Sequence, residues 1–432
     1  MPSPLLSSLP SPLPSRASLA APTARYQEKR EAIVCAAAVL FNERGVKGTT
    51  LADIAAAVGL LTNSVTYYYR KKEDLATACF LRSIEAFNSM ASQAAQQNSV
   101  ADRLQVFFAL HAQLLAGIDR GERAPLVSFS DIRALPSSQL EQVFAAYTEM
   151  FRRVRDLLKG PQTQQLSRDD FNARGHIVIS NVHWVRVWIG RYEVDEYTRV
   201  AERVVDFMLR GLPANGELWQ AYDGQSCWTL AGSTNIDSEG ARLEAFLRAA
   251  TVLVNEQGYR GASVDKISAR LNVTKGSFYH HNDNKHDLIT ECFERSFAVV
   301  RRALALAADS SGSGWARACE VSRALARYQL SDHGPLLRFT ATSALPDEEH
   351  RARVRTTMNR LTERLGNVVV DGLMDGSIRP LDAAIAAQSI TASINAAAEL
   401  HRWLPGVGPD DVASVYVRPL LEGVLCPPAA RD

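Results

Sequence analysis

The chain lacks the cysteine pattern of a secreted or metal-binding protein. Its 432 residues include six cysteines, and no two of them form a Cys-x-x-Cys pair. Scattered thiols of this kind suit a reducing cytoplasm. No apolar run reaches the length needed to span a membrane. We therefore expect a cytoplasmic location and no membrane partner.

The chain also lacks net charge and a recognisable catalytic set. Its 48 Lys and Arg residues nearly balance 47 Asp and Glu residues, which leaves a formal charge of +1. Any DNA binding must therefore depend on local basic patches. There is no phosphate-binding glycine loop, no Gly-x-Ser-x-Gly and no metal-ligand spacing. We expect neither catalysis nor a cofactor or metal.

What the sequence does contain is a duplication. Residues 33–83 align without a gap on residues 246–296, at a constant offset of 213 positions. Asn42, Gly45 and Cys79, for example, recur as Asn255, Gly258 and Cys292. The repeat continues more faintly further on, where Pro125-Leu126 matches Pro335-Leu336 at an offset of 210. Chance does not keep register over such a length, so a whole unit was duplicated.

Each copy has the pattern of a helix–turn–helix unit. Apolar residues at helical spacing from Ile33 to Phe41 predict one buried helix face. Gly45 then ends this helix, and Thr50 caps a second one. Gly59 supplies the tight turn into a third helix, which a DNA reader places in the major groove. The second copy repeats these signals at Gly258, Ser263 and Asn272.

These motifs together resemble the tetracycline-repressor (TetR) family of bacterial transcription regulators. In copy one the stretch is Thr49-Thr50-Leu51-Ala52-Asp53-Ile54-Ala55, then Gly59 and a closing Lys72-Glu73-Asp74-Leu75. In copy two it begins at Ser263-Val264-Asp265-Lys266-Ile267-Ser268 and closes with Lys285-His286-Asp287-Leu288. The resemblance implies an all-α fold of two tandem modules. Each has an N-terminal DNA-binding head and a helical ligand-binding and dimerisation body.

The resemblance also implies which residues contact DNA. The expected set in copy one is Thr50, Thr62, Asn63, Ser64, Thr66, Tyr67, Tyr68 and Lys72. The expected set in copy two is Ser263, Lys275, Gly276, Ser277, Tyr279, His280, His281 and Lys285. Caps, aromatic residues and closing lysines contact phosphates in the family, whereas early third-helix positions face bases. Asn can pair with adenine and Lys with guanine, so the two heads should prefer different sequences.

Some residues depart from the family pattern and leave alternatives open. Thr66 replaces a usual tyrosine, Asn282 replaces a core aromatic residue, and Asp283 adds negative charge. We interpret copy one as an intact reader and copy two as a weakened one. The alternative function is a ligand-binding or scaffold protein whose second head no longer binds DNA. Tyr67 and Tyr68 also have a purely structural interpretation as core aromatic residues.

Composition and repeat boundaries divide the chain into six segments. Proline breaks the first stretch, which predicts a disordered tail in place of a signal peptide. The expected segments are a tail (1–25), head one (26–84), body one (85–213), a linker (214–238), head two (239–297) and body two (298–426).

The bodies should enclose an effector pocket and pair with each other. Aromatic and histidine positions on predicted body helices are the candidate ligand contacts: Phe129, Tyr147, His183, Trp184, Trp188, Phe339 and Trp403. They indicate a mainly apolar small-molecule effector. One chain could form an intramolecular pseudo-dimer, or two chains a homodimer. The resulting expectation is a ligand-responsive regulator, most simply a repressor, that binds a double-stranded and asymmetric operator.

Overall fold

The protein is all-helical in the part that the structure describes. The computed structural model describes residues 24–219, 230, 238–271, 285–345 and 348–428. These ranges contain fifteen α-helices and no β-strand; one isolated bridge joins Pro213 and Ile378. The predicted fold class is confirmed. No helix within these ranges combines the length and the apolar character needed to cross a membrane.

Head one consists of three helices that share a small core. They are α1 (Ala24–Gly48), α2 (Leu51–Ala57) and α3 (Thr62–Tyr68). Ile33, Ile54 and Val65, one from each helix, are completely buried. Gly45 interrupts α1 as predicted, with φ 70° and ψ 163°, a combination that is essentially restricted to glycine.

Head two repeats this arrangement as far as the structure describes it. Helix α9 (Ser238–Gly261) is interrupted at Gly258 with φ 71° and ψ 166°. Helix α10 (Val264–Leu271) follows and buries Ile267. The predicted base-reading and aromatic residues of this head lie outside the described residues, namely Lys275, Gly276, Ser277, Tyr279, His280 and His281.

Each head passes into its body through one continuous helix. Helix α4 (Lys72–Ala94) crosses the expected boundary after residue 84, and α11 (Lys285–Ala308) crosses the one after residue 297. Body one continues with α5 (Val100–Asp119), α6 (Ser137–Asp156), α7 (Arg168–Trp188) and α8 (Tyr197–Arg210). Body two continues with α12 (Gly314–Leu330), α13 (Glu348–Asp375), α14 (Ala383–Ala396) and α15 (Arg418–Glu422). A movement of either head therefore reaches its body along a rigid element.

The duplication is visible in individual hydrogen bonds. The Asn42 side chain donates to the Leu126 carbonyl at 3.0 Å and accepts from the Ser128 amide at 2.8 Å. Asn255 makes the same pair of bonds to Leu336, at 2.9 Å, and Arg338, at 3.1 Å. Both sets connect the first helix of a head to the loop after the second helix of its body. The sequence offsets of 213 and 210 therefore correspond to equivalent positions in space.

The repeated cysteines are buried at equivalent positions. The Cys79 Sγ lies 3.6 Å from the Val34 carbonyl oxygen, and the Cys292 Sγ lies 3.5 Å from that of Leu247. Burial raises the pKa of each thiol to about 12. Both are therefore inert at neutral pH, as buried structural thiols are.

The two bodies bind each other within the chain. Helices α7 and α8 pack against α14, and α15 contacts both of them. Across this surface Asn181 donates to Ser393 Oγ at 3.2 Å, and the Trp184 indole donates to Gln388 Oε1 at 3.0 Å. The His176 Nδ1 lies 3.0 Å from the Tyr416 hydroxyl. We call this surface the body interface.

The connector also contacts body two. The Trp219 amide donates to the Glu422 carboxylate at 3.2 Å, and the Arg323 guanidinium lies 5.0 Å from the Trp219 ring centre. Trp219 therefore packs against body two. The other tryptophan of the connector, Trp228, lies outside the described residues.

Candidate DNA-binding heads and internal cavity

Thr50 and Asp53 form a capping box at the N-terminus of α2, in which each side chain bonds to the backbone of the other residue. The Thr50 hydroxyl accepts from the Asp53 amide at 3.1 Å and donates to the Asp53 carboxylate at 2.7 Å. The Thr50 amide also donates to this carboxylate, at 2.8 Å. Hydrogen bonds from the Thr50 side chain and amide lower the pKa of Asp53. Thr50 therefore caps α2 as predicted, and a phosphate would have to replace Asp53 as its acceptor.

The first turn of α3 is open to solvent. Thr62 and Asn63 are exposed, Ser64 is half-exposed, and the next residue, Val65, anchors the helix in the core. The Thr66 hydroxyl donates to the Asn63 carbonyl at 2.9 Å, so it is used within the helix. Leu61, which precedes the helix, is 80% exposed. Sequence reasoning did not select Leu61, because its apolar side chain resembles a core position.

Three tyrosines form a cluster at the end of α3. The ring centres of Tyr67 and Tyr68 are 5.3 Å apart, and Tyr26 of α1 lies 6.2 Å and 4.8 Å from them. Tyr67 is 75% exposed, which argues against the interpretation as a core residue. Tyr26 was not predicted, since it precedes the duplicated stretch. A basic run, Arg70-Lys71-Lys72, follows this cluster closely in the chain.

Lysine begins the helix that follows each reading unit. Lys72 is the first residue of α4 and is partly exposed. The hydrogen bonds from Thr50 are the main cause of the lowered pKa of Asp53, and the charge of Lys72 makes a smaller contribution. Lys285 is likewise the first residue of α11, although its side chain lies outside the described residues. Ser263 caps α10 by accepting from the Lys266 amide at 3.3 Å. The two heads thus share cap and closing-lysine positions.

A large cavity lies inside body one and reaches into body two. Its volume is about 790 Å³. Six of the seven predicted ligand contacts line it: Phe129, Tyr147, His183, Trp184, Phe339 and Trp403. Trp188 does not line it; this side chain is buried 6.0 Å from the ring of Tyr192. Phe339 and Trp403 belong to body two, so residues that the sequence placed in separate halves meet in one cavity.

The corresponding interior of body two is nearly filled. A cavity of about 60 Å³ lies there, between α11, α12, α13 and α14. Side chains such as Phe297, Leu361 and Met358 line it. The two bodies therefore differ in the volume of their interior cavities.

Sequence profiles of known families match both halves of the chain. The profile described as "Bacterial regulatory proteins, tetR family" matches residues 33–79 and again residues 246–292. The profile described as "Tetracyclin repressor-like, C-terminal domain" matches residues 311–424. The chain belongs to the TetR family. It carries two TetR modules in tandem, as the duplicated motifs predicted.

Curated relatives cover short parts of the chain. The Transposon Tn10 TetC protein of Escherichia coli is 33% identical over 72 residues, which are 17% of this chain and 36% of that protein. The biofilm operon icaADBC HTH-type negative transcriptional regulator IcaR of Staphylococcus epidermidis is 40% identical over 48 residues, 11% of this chain and 26% of that protein. The chain thus spans about a third and about a quarter of the lengths of these relatives.

Among solved structures, a TetR-family transcriptional regulator from Bordetella parapertussis is 21% identical. The match covers 42% of this chain and 94% of that one, with a TM-score of 0.37.

A short 3-10 segment connects the cavity of this TetR protein to both heads. This segment, Phe129–Ala134, lines the cavity through Phe129, Ile132 and Arg133. Between them, Asp131 accepts a hydrogen bond from the Val46 amide of head one. Arg133 donates to the Asn255 carbonyl of head two. We call Phe129–Ala134 the coupling segment.

Charged residues of both TetR modules meet at the cavity wall. Glu399 forms ion pairs with Arg133 and with Arg338, the latter at 2.7 Å. Burial opposes ionisation of Glu399, but the charges of Arg338, Arg133 and Arg402 outweigh it and lower its pKa to about 2. Sequence reasoning missed these residues, because 266 positions separate Arg133 from Glu399.

Three histidines of the cavity are uncharged at neutral pH. Burial lowers the pKa of His111 and His176 to about 4 and that of His183 to about 3. The charge of Arg186 adds to this effect at His111, and the charge of Arg338 adds to it at His183. The histidines therefore act as aromatic, hydrogen-bonding walls.

Proposed function

We propose that the chain is a ligand-responsive, DNA-binding transcriptional regulator that acts as a repressor and as its own dimer. The observation that carries this proposal is the body interface. In the TetR family two helices of each body form a four-helix bundle with a partner body. Here α7 and α8 of one module meet α14 and α15 of the other within a single chain. One polypeptide thereby holds both heads that an operator requires.

Head one supports DNA binding most directly. Its α3 presents Thr62, Asn63 and Ser64 to solvent, where base edges would meet them in the major groove. Leu61 adds an exposed apolar side chain next to these positions, suited to a thymine methyl group. The tyrosine cluster at the end of α3 (Tyr26, Tyr67 and Tyr68) and Lys72 at the start of α4 would contact phosphates.

The unlike reading positions favour an asymmetric operator. Copy two has Lys275, Gly276 and Ser277 where copy one has Thr62, Asn63 and Ser64. A symmetric dimer reads the same bases twice, whereas this chain would read two different half-sites. Their centres should lie about one helical turn apart, or slightly more.

The cavity supports response to a small molecule. Its volume of about 790 Å³ suits a ligand of drug-like size, and aromatic side chains dominate the region around Phe129. An effector alters DNA binding only if it favours one arrangement of the heads over another. The coupling segment touches the cavity and both heads, which supplies a physical route for such a preference.

Selection of DNA from a random pool tests this function. The purified full chain would be used, with light scattering on the same sample. We expect an asymmetric bipartite site bound by a single chain of 47.4 kDa. Recovery of a palindrome bound by two chains would show that one head does the reading. If no sequence is selected, the ligand-binding or scaffold function takes the place of the proposed one.

A further inference from the structure

We infer that the cavity binds an organic anion with an aromatic or hydrocarbon body, and that its acidic group acts on head two through Arg133. This inference rests on the proposed function, because it names the chemical class of the effector. It goes further in specifying charge, position and route. The observations that carry it are the charge of the wall, the aromatic interior and the contacts of the coupling segment.

The cavity wall has a strong surplus of positive charge. Seven arginines line it: Arg133, Arg152, Arg155, Arg168, Arg186, Arg338 and Arg402. Two carboxylates, Asp169 and Glu399, line it with them, and Arg152 and Arg155 form ion pairs with Glu149 and Asp156 outside the lining. Positive charge remains in surplus after all four carboxylates are counted. The chain as a whole has a formal charge of +1, so the surplus is local. An anion offsets such a surplus, whereas a cation would increase the repulsion.

The surplus is greatest where the two modules meet. Arg133 and Arg338 share the single carboxylate of Glu399. The Nε atoms of both arginines are buried and have no hydrogen-bond partner among the described residues. Arg402 lies over the Phe144 ring at 5.4 Å, and no ion pair of its guanidinium occurs in the described part of the chain. A second acidic group could therefore gain charge-assisted hydrogen bonds here.

The rest of the cavity suits an apolar body. The rings of Phe151 and Trp403 stack with centres 3.9 Å apart, and Tyr147 lies 6.2 Å from Trp403. Phe129 lies 5.1 Å from Tyr147, which extends the aromatic wall towards the coupling segment. Because the nearby histidines are neutral, the positive charge of the cavity comes from its arginines. The ligand thus has an acidic end at the arginines and an apolar end among the rings.

The acidic end would act directly on the heads. Arg133 pairs with Glu399 and also donates to the Asn255 carbonyl of α9, three residues before the break at Gly258. The Arg338 amide donates to the side chain of this same asparagine at 3.1 Å. A ligand acid that competes with Glu399 for Arg133 or Arg338 would displace head two relative to head one. Asp131, two residues before Arg133, would transmit the shift to Val46 of head one.

The binding test compares ligands that differ in charge. The probes are 2-naphthoate and decanoate, their neutral amides, and decylamine, measured by calorimetry on the full chain. We expect each carboxylate to bind at least tenfold more tightly than its amide, which corresponds to about 1.4 kcal/mol. Decylamine should bind more weakly than either. Equal affinities for acids and amides, or no binding of the acids at millimolar concentration, would overturn the inference.

Two variants locate the acidic group. Arg402→Gln removes a solvent-accessible cavity arginine and should abolish the preference for acid over amide, with little change for the amide. Arg153→Gln is the matched control, since Arg153 neighbours Arg152 on α6 but does not line the cavity. It should leave the preference intact. Loss of preference in both variants, or in neither, would contradict an acid site at Arg402.

A third variant tests the route to the heads. Arg133→Gln should bind the carboxylate more weakly, and a carboxylate concentration that saturates this variant should still fail to release the bound DNA. If the acids fail to bind while DNA is still selected, this inference fails and the proposed function stands. If the acids bind with the expected preference but no DNA is selected, the proposed function fails instead. Release of DNA from Arg133→Gln as from the unaltered chain would exclude the route through Arg133.

Discussion

Among single residues, Lys72 offers the clearest test of DNA contact. It begins α4 beside the cap of α2, where a phosphate would lie against head one. We expect Lys72→Ala to weaken binding to all sequences alike and to reduce the slope of log affinity against log salt by about one. Lys159→Ala is the matched control, because Lys159 is an exposed lysine of body one that pairs with Asp156. Equal salt slopes for Lys72→Ala and the unaltered chain would exclude the phosphate contact.

Lys285→Ala applies the same test to head two. Loss of affinity in this variant would show that both heads bind DNA. An unchanged affinity, together with a strong effect of Lys72→Ala, would restrict DNA reading to head one.

Asn63 should determine which base is preferred at one position of the DNA site, and it should contribute little to affinity for other sequences. Its exposed amide can form two hydrogen bonds to adenine from the first turn of α3. We expect Asn63→Ala to cost about 1–3 kcal/mol on the preferred base and to relax preference at that one position. Repeating the DNA selection with the variant measures this. A uniform loss on every sequence would assign Asn63 a structural role.

His111 should make the protein sensitive to mild acid. Burial lowers its pKa to about 4, whereas an unfolded histidine titrates near 6.5. Between these values the unfolded chain binds the proton, so stability falls as the pH decreases from 6.5 towards 4. At pH 5 the loss is roughly 2 kcal/mol for this residue.

Urea unfolding at pH 7.5 and pH 5.0 measures this effect. The difference between the two pH values should shrink by about this amount in His111→Gln, whatever the variant costs at neutral pH. An unchanged difference would show that His111 does not titrate on unfolding. Glu399 affects stability at lower pH. Because its pKa falls from 4.5 to about 2 on folding, its contribution to stability is lost only as the pH decreases below about 4.5.

At the scale of helices, the two glycines that interrupt α1 and α9 form a matched pair. Gly45 and Gly258 have nearly the same backbone angles. A methyl group added at Gly45 would lie 3.0 Å from the Asp131 carboxylate, and one at Gly258 would lie 3.8 Å from it. We expect either alanine to cost about 1–3 kcal/mol through its backbone, with a further loss at Gly45 from crowding. Hydrogen exchange in α1 and α9 should show the greater loss of protection for Gly45→Ala; equal losses would contradict the crowding.

The sequence was sufficient to predict the helices and the duplication. Apolar spacing, glycine stops and the caps Thr50 and Ser263 are local signals, and each determines an element within a few residues of itself. The structure confirms the breaks at Gly45 and Gly258. Because these signals occur twice in register, they also predicted two modules.

The cavity could be predicted only in part. Aromatic positions such as Phe129 and Trp403 were selected from helical spacing, but their common location depends on how body one packs against body two. The ion pair of Arg133 with Glu399 joins opposite modules, and no local pattern indicates such a partner. Trp188 has the same type of side chain as Trp184, yet only Trp184 faces the cavity. Long-range packing decides these positions.

At the scale of the whole molecule, the body interface predicts that a single chain binds DNA, without prior association of two chains. If both heads belong to one chain, occupancy of the selected DNA should follow a simple one-site isotherm in protein concentration. The solution mass should stay at 47.4 kDa over a wide range of dilution. A mass that doubles at micromolar concentration, or a steeper isotherm, would support a dimer of chains with four heads.

The body interface also changes what dilution can do to the protein. Two separate subunits part when their concentration falls below their dissociation constant, so a scarce dimer is lost. Covalent attachment keeps the bodies at an effective concentration that can reach the millimolar range, whatever the number of molecules present. A cell holding only a few copies would still hold fully assembled ones. Each molecule would also always contain head one and head two together, because no subunits can exchange to give a molecule with two identical heads.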